Sequence, residues 1–156
     1  MKKLYFVVLV MALALITTGC AQSKKEMMDE VNEKGYFHYT NDDLGFGFYL
    51  PREFIYYQTQ RKDNDNFTDI EIWVPTSDTS IQSEVSGYAK VLTIRAFKKK
   101  YWNDSMNGDE RKDYTKIDES KDKVYTMTFW TKIAAEWGPK WTDDMKKDII
   151  QKFQIK

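Results

Sequence analysis

Between residues 67 and 74 the chain reads Phe-Thr-Asp-Ile-Glu-Ile-Trp-Val and then meets Pro75. No other stretch limits the possible folds as tightly. Period-two alternation fits a strand, and it sets Ile70, Ile72 and Val74 on one side with Asp69 and Glu71 on the other. One apolar and one polar face define a half-buried strand, which belongs in an antiparallel sheet. Pro75 has no N–H to continue the ladder. Residues 54–61 read as a second strand, and the Asp63-Asn64-Asp65-Asn66 turn between the two predicts a hairpin.

The rest of the chain after residue 35 extends this pattern. Residues 36–39 predict a short strand ahead of an Asn41-Asp42-Asp43 turn. In Leu44-Gly45-Phe46-Gly47-Phe48-Tyr49-Leu50-Pro51, Phe46, Phe48 and Leu50 share one face. Gly45 and Gly47 share the other, which predicts close approach by another element. Residues 76–87 are polar and loop-like. Residues 88–97 predict a strand with Leu92, Ile94 and Ala96 inward, and residues 98–113 read as irregular. Residues 114–119 and 123–133 predict a hairpin, with Tyr125, Met127 and Phe129 inward and Thr126 and Thr128 outward. Residues 134–140 read as a linker. Last comes a helix in which Trp141, Met145, Ile149 and Phe153 recur every fourth residue. Thr142 is placed to cap it, and Asp143 and Asp144 suit its positive end. The expected fold is one α+β domain over residues 36–156. It has a mostly antiparallel sheet of five to seven strands and a packed C-terminal amphipathic helix, laid across the strands that carry Phe46 and Ile94. The stretch Leu44 to Phe54 resembles the "G-F-x-F-x-x-P-x-x-W/F" opening strand of the PsbP/Mog1-like superfamily. That resemblance implies an antiparallel sheet between helices, and its bacterial members are often exported lipoproteins.

The first twenty residues have a different character. Lys2 and Lys3 precede thirteen uncharged, mostly apolar residues, 4–16, and Thr17-Thr18-Gly19-Cys20 ends on the single cysteine of the chain. A basic start, a short apolar core and small residues at a cleavage site form a secretory signal. At about 1.5 Å per residue the core makes a helix of roughly 20 Å, short of the ~30 Å needed to span a bilayer. An uncleaved anchor remains the alternative, because residues 4–23 carry no charge and lysines flank them on both sides. The segment resembles a bacterial lipoprotein signal peptide with its lipobox, except that Thr17 stands where leucine is usual. The resemblance implies cleavage before Cys20 and lipidation of that thiol. Residues 1–19 are then the signal and residues 20–35 a lipidated tether, in which residues 26–34, with Met27 and Val31 on one side, read as a short helix or a frayed stalk. The protein is expected at the cell membrane or outer membrane, lipid-anchored on the extracytoplasmic side.

Cleavage takes 19 residues from the 156 and leaves 137, enough for one core. Two of the 24 basic residues fall in the leader, so 22 face 24 acidic ones, with no block of like charge. That balance argues against nucleic acid, which needs a concentrated basic surface. Lys98-Lys99-Lys100 reads as a solvated strand end. With Cys20 committed to lipid, no disulfide is available, and aromatic residues, 15% of the chain, must supply much of the packing.

Catalytic and metal motifs are not found. His38 is the one histidine, and no partner set for a triad or a metal centre accompanies it. Asn103, Ser105, Asn107 and Gly108 match the start of an EF-hand loop, but Tyr114 stands where a bidentate Glu is required. Asp63 to Asn66, with Asp69 and Glu71, offer oxygens without defined spacing. Asp42-Asp43 and Asp143-Asp144 suit a turn and a helix start. No cofactor is expected. Trp102 and Trp137, in irregular segments, are expected to be exposed and are the candidate ligand-binding residues. The expected role is a non-catalytic binding or support domain with an unknown protein or glycan partner. The alternatives are a glycan- or peptidoglycan-binding module, and an enzyme with an unrecognised carboxylate pair.

Overall fold

The computed structural model describes residues 35–106 and 108–156. The leader, Cys20 and the tether with its expected helix (residues 20–34) lie outside the described residues. The alternating pattern folds as eight strands in two sheets, all neighbours antiparallel. The smaller sheet has the order β1-β2-β8, from β1 (Tyr36–Asn41), β2 (Phe46–Pro51) and β8 (Gln154–Ile155). The larger has the order β3-β4-β5-β7-β6, from β3 (Gln58–Asp63), β4 (Phe67–Pro75), β5 (Tyr88–Lys98), β7 (Lys123–Phe129) and β6 (Lys116–Glu119).

The expected inner faces meet between the sheets. Phe46, Phe48 and Leu50 of β2 join Ile70, Ile72 and Val74 of β4, Leu92, Ile94 and Ala96 of β5, and Tyr125 and Met127 of β7 in one buried cluster. The register between β4 and β5 shifts at Ile72/Trp73, opposite Val91. The extra residue lets Val91 and Leu92 both reach the interior. The Tyr125 hydroxyl donates to the Leu44 carbonyl at 2.6 Å, which ties the larger sheet to the β1–β2 turn.

Three helices complete the fold among the described residues: α1 (Lys99–Asp104), α2 (Gly108–Lys112) and α3 (Asp143–Gln151). In α3, Thr142 Oγ1 accepts from the Met145 N–H at 3.2 Å, so the expected cap forms. Ile149 is fully buried, Trp141 and Phe153 are buried, and the helix rests against β2.

The described residues form eight strands rather than five to seven because residues 154–155 add β8, and the strands fall into two sheets because the β1–β2 hairpin does not join the larger one. Instead it pairs with the two residues of β8, too short to carry a period of their own. The second expected strand starts at Gln58, because residues 52–54 form a 3-10 turn and Tyr56 adopts φ 65°. Within the stretch expected to be irregular, residues 99–104 and 108–112 are helical. Trp102 and Met106, one turn apart, dock on Phe97 and Val124, and this packing orders α1 where local propensity is weak. Gly45 serves a turn at φ 71°. A Cβ on Gly47 would stand 3.1 Å from the Tyr39 carbonyl, so the element that approaches closely is the paired strand β1.

Candidate functional site

The larger sheet has a second, outer face, turned away from the core. Residues of one parity from five strands lie on it in rows set by the register. Lys62, Asp69, Arg95, Thr126 and Lys116 form one row across β3, β4, β5, β7 and β6. Gln60, Glu71, Thr93 and Thr128 form the next, and Trp73 pairs with Lys90 beyond it. The other end of this face is closed by a second apolar cluster, Phe97 and Val124 under Trp102 and Met106, with Phe67 and Tyr114 beside them.

The rows form the floor of a groove of about 340 Å³. A neighbouring groove of about 450 Å³ runs under residues 80–84, and Lys90 and Trp130 line both. Polar groups on this floor are bonded to each other. Arg95 reaches Asp69 through two hydrogen bonds, at 2.6 and 2.7 Å, and donates to the Tyr114 hydroxyl at 2.9 Å. Its guanidinium carbon lies 3.7 Å from the Phe67 ring centroid. Burial alone would lower the Arg95 guanidinium, but its hydrogen bonds to Asp69 and the Asp69 charge outweigh this and raise it above its ordinary value. Lys90 donates to Glu71 Oε1 at 2.8 Å, and Lys62 Nζ stands 3.1 Å from Glu71 Oε2 as an ion-pair contact without hydrogen-bond alignment.

This pairing explains why both faces of β4 are buried, where alternation alone predicts a wet outer face. Asp69 is 7% exposed and Glu71 3%, since the long stems of Arg95, Lys62 and Lys90 cover the carboxylates they neutralise. Thr126 is fully buried rather than outward into water, and its Oγ1 has no hydrogen-bond partner among the described residues. The indole nitrogens of Trp73 and Trp130 are also buried without a partner.

The two tryptophans expected to be exposed are not. Trp102 is 8% exposed, with its ring 5.1 Å from Phe97, and Trp137 is 4% exposed, edge-on to Phe54 at 5.2 Å. Irregular sequence around them misled the expectation, because both segments are short helical turns that fold back over apolar surface. Trp137 instead backs Trp130, which meets it edge-on at 5.8 Å and Trp141 at 5.5 Å. Trp130 follows β7 with the same parity as Thr126 and Thr128, and that parity is the sequence signal that points to it.

Other singled-out residues stand apart from the groove. His38 stacks on Tyr49 at 4.4 Å on the smaller sheet. Asp63 is held below its ordinary range by the Thr68 hydroxyl and by Arg61. Asp42 pairs with Lys156, Asp43 with Arg61, and Asp143 with Lys146. Asn103 lies in α1, not in a loop, and Asn107 lies outside the described residues. Among the described residues no cluster of three or more His, Cys, Asp or Glu is placed to hold a metal ion. No described helix is long and apolar enough to cross a membrane. Compared with protein families, curated proteins and solved structures, the chain matches none.

Proposed function

We propose that this chain is a lipid-anchored domain of a bacterial cell envelope, held on the extracytoplasmic side through Cys20, that binds through its outer-face groove without catalysing a reaction. The leader supports the anchor: a basic start, an apolar core too short to span, small residues and the single cysteine follow in order. The groove supports binding, and one observation carries that reading. Each charged side chain lining it is already held by one of opposite sign, while the Thr126 hydroxyl and the Trp130 indole N–H have no hydrogen-bond partner among the described residues. A site built for acid–base work would keep a titratable group free to exchange a proton. The resemblance of residues 44–54 to the opening strand of the PsbP/Mog1-like domains supports grouping the domain with them. Nucleic acid is not an expected partner.

The anchor is tested in a bacterial host fed radioactive palmitate. The wild-type chain should take up label and sediment with membranes, and Cys20→Ser should take up none. Equal labelling of the two would overturn the anchor.

A further inference from the structure

The charged side chains that line the groove sum to zero, and Lys62 beside them is a second ion-pair partner of Glu71. Two carboxylates, Asp69 and Glu71, face two cations, Arg95 and Lys90, within the 340 Å³ groove. An anionic ligand would have to take Arg95 or Lys90 from its carboxylate, and a cationic ligand would have to take Asp69 or Glu71. Taking Arg95 strands the buried Asp69, and taking Asp69 strands the part-buried Arg95; at Glu71, which Lys90 and Lys62 share, a charged ligand must break into a three-membered ion pair. An uncharged ligand leaves both pairs intact. Among the described residues, the floor still lacks hydrogen bonds at Glu71 Oε2, which Lys62 meets only as an ion pair, at the fully buried Thr126 Oγ1 and at Trp130 Nε1, with Trp73 Nε1 in the adjoining groove. These groups want hydroxyl or amide partners. From Thr126 to Trp130 the chain advances about 13 Å at ~3.3 Å per residue, longer than one sugar ring. Neither atom reaches solvent, so entry requires movement of a side chain above them. Lys90 lines both grooves, is 40% exposed, and is fixed at its tip by its contact with Glu71.

Building on the groove reading above, we infer that it takes an uncharged, hydroxyl-rich ligand, the chemistry of a neutral glycan, with Thr126 and the Trp130 indole as its hydrogen-bonding floor. Trp130 thus takes the part that sequence reasoning gave to Trp102 and Trp137.

The test uses isotope-labelled full-length protein in detergent, with the indole N–H of Trp130 identified by its loss in Trp130→Phe. Chitotetraose and cellotetraose are the neutral probes, and a sulfated disaccharide and tetralysine are the charged ones. At least one neutral probe should move the Trp130 resonance saturably. Thr126→Val should weaken that binding about tenfold, the loss of roughly one hydrogen bond. Thr126→Ser, which keeps the hydroxyl, should restore it, with melting temperatures confirming that both variants fold. No saturable shift with either neutral probe, a stronger response to a charged probe, or wild-type affinity in Thr126→Val each overturns the inference. The palmitate experiment is independent, so a groove that ignores glycans leaves the anchor standing.

Discussion

Arg95 and Thr126 stand side by side on the outer face and behave oppositely. Arg95 is engaged at each of its three side-chain nitrogens: two bonds to Asp69, one to Tyr114 and a ring beneath it. Removing Asp69 would leave the guanidinium with its burial and without its charge partner. Asp69→Ala should therefore destabilise the domain by about 2–3 kcal/mol. That is below the range for a fully buried pair, because the Arg95 side chain keeps 23% of its surface in water. The double variant Asp69→Ala with Arg95→Met should lose less than the single, since no charge is then stranded. Urea titrations of the three variants read this directly, and a double variant weaker than Asp69→Ala would show that packing on Phe67 outweighs the ion pair. Thr126 carries a buried hydroxyl with nothing to bond. Thr126→Val keeps the shape and removes the unmet group, so it should leave stability unchanged or raise it by up to about 1 kcal/mol. A clear loss of stability would mean the hydroxyl has a partner, and the floor would no longer be open to a ligand.

Among the elements, the loop at residues 76–87 forms a wall of the adjoining groove and is clipped in place by two carboxylates. Asp78 accepts from the Ser80 hydroxyl and N–H and from the Ala135 N–H, and Glu136 accepts from the Ser77 N–H. These bonds hold Asp78 below its ordinary value of 3.8, with the Ser80 hydroxyl the largest cause. Glu136 is held below 4.5, chiefly by the Thr76 hydroxyl. A depressed carboxylate contributes stability that is complete above its unfolded value and is lost as pH falls through the folded one. The loop should therefore loosen as pH drops below 3.8, and pepsin should cut first near Ile81; first cleavage elsewhere would show that the clip does not govern the loop. Legibility followed the same division between local and remote forces. The alternation of β4 and the Thr142 cap of α3 are local signals, and the strand and the cap formed as read, although the helix spans only Met145 and Ile149 of the stripe and Trp141 and Phe153 flank it. Trp102 was misplaced because α1 owes its order to docking on the larger sheet, on nearby Phe97 and on Val124, which is distant along the chain. The groove was hidden for the same reason. Asp69 and Glu71 were visible as a polar face, but their burial depends on Arg95 and Lys90 arriving in register from β5.

At the scale of the whole molecule, the smaller sheet joins the two ends of the described domain. β1 and β2 come from its start and β8 from its end, with Phe46 opposite Ile155 and the Lys156 N–H donating to the Gly45 carbonyl at 2.9 Å. Phe153, just past α3, completes this closure. Its ring stacks on Phe46 of the smaller sheet at 5.3 Å and meets Tyr125 of the larger one at 5.4 Å. One side chain thus bridges both layers, and Tyr125 in turn is bonded to the Leu44 carbonyl. The two sheets should then unfold as one cooperative unit, with no stable larger sheet left when the smaller one opens. Phe153→Ala removes the bridge and should cost about 3–5 kcal/mol, a large share of the 5–15 kcal/mol that holds a typical domain together. In urea, near-ultraviolet circular dichroism of the aromatic cluster and far-ultraviolet signal of the strands should fall together, in wild type and at a lower midpoint in the variant. If the aromatic signal of Phe153→Ala is lost while the strand signal persists to the wild-type midpoint, the five-stranded sheet is stable alone. The smaller sheet would then be an appendage on the core, and the groove would survive its loss.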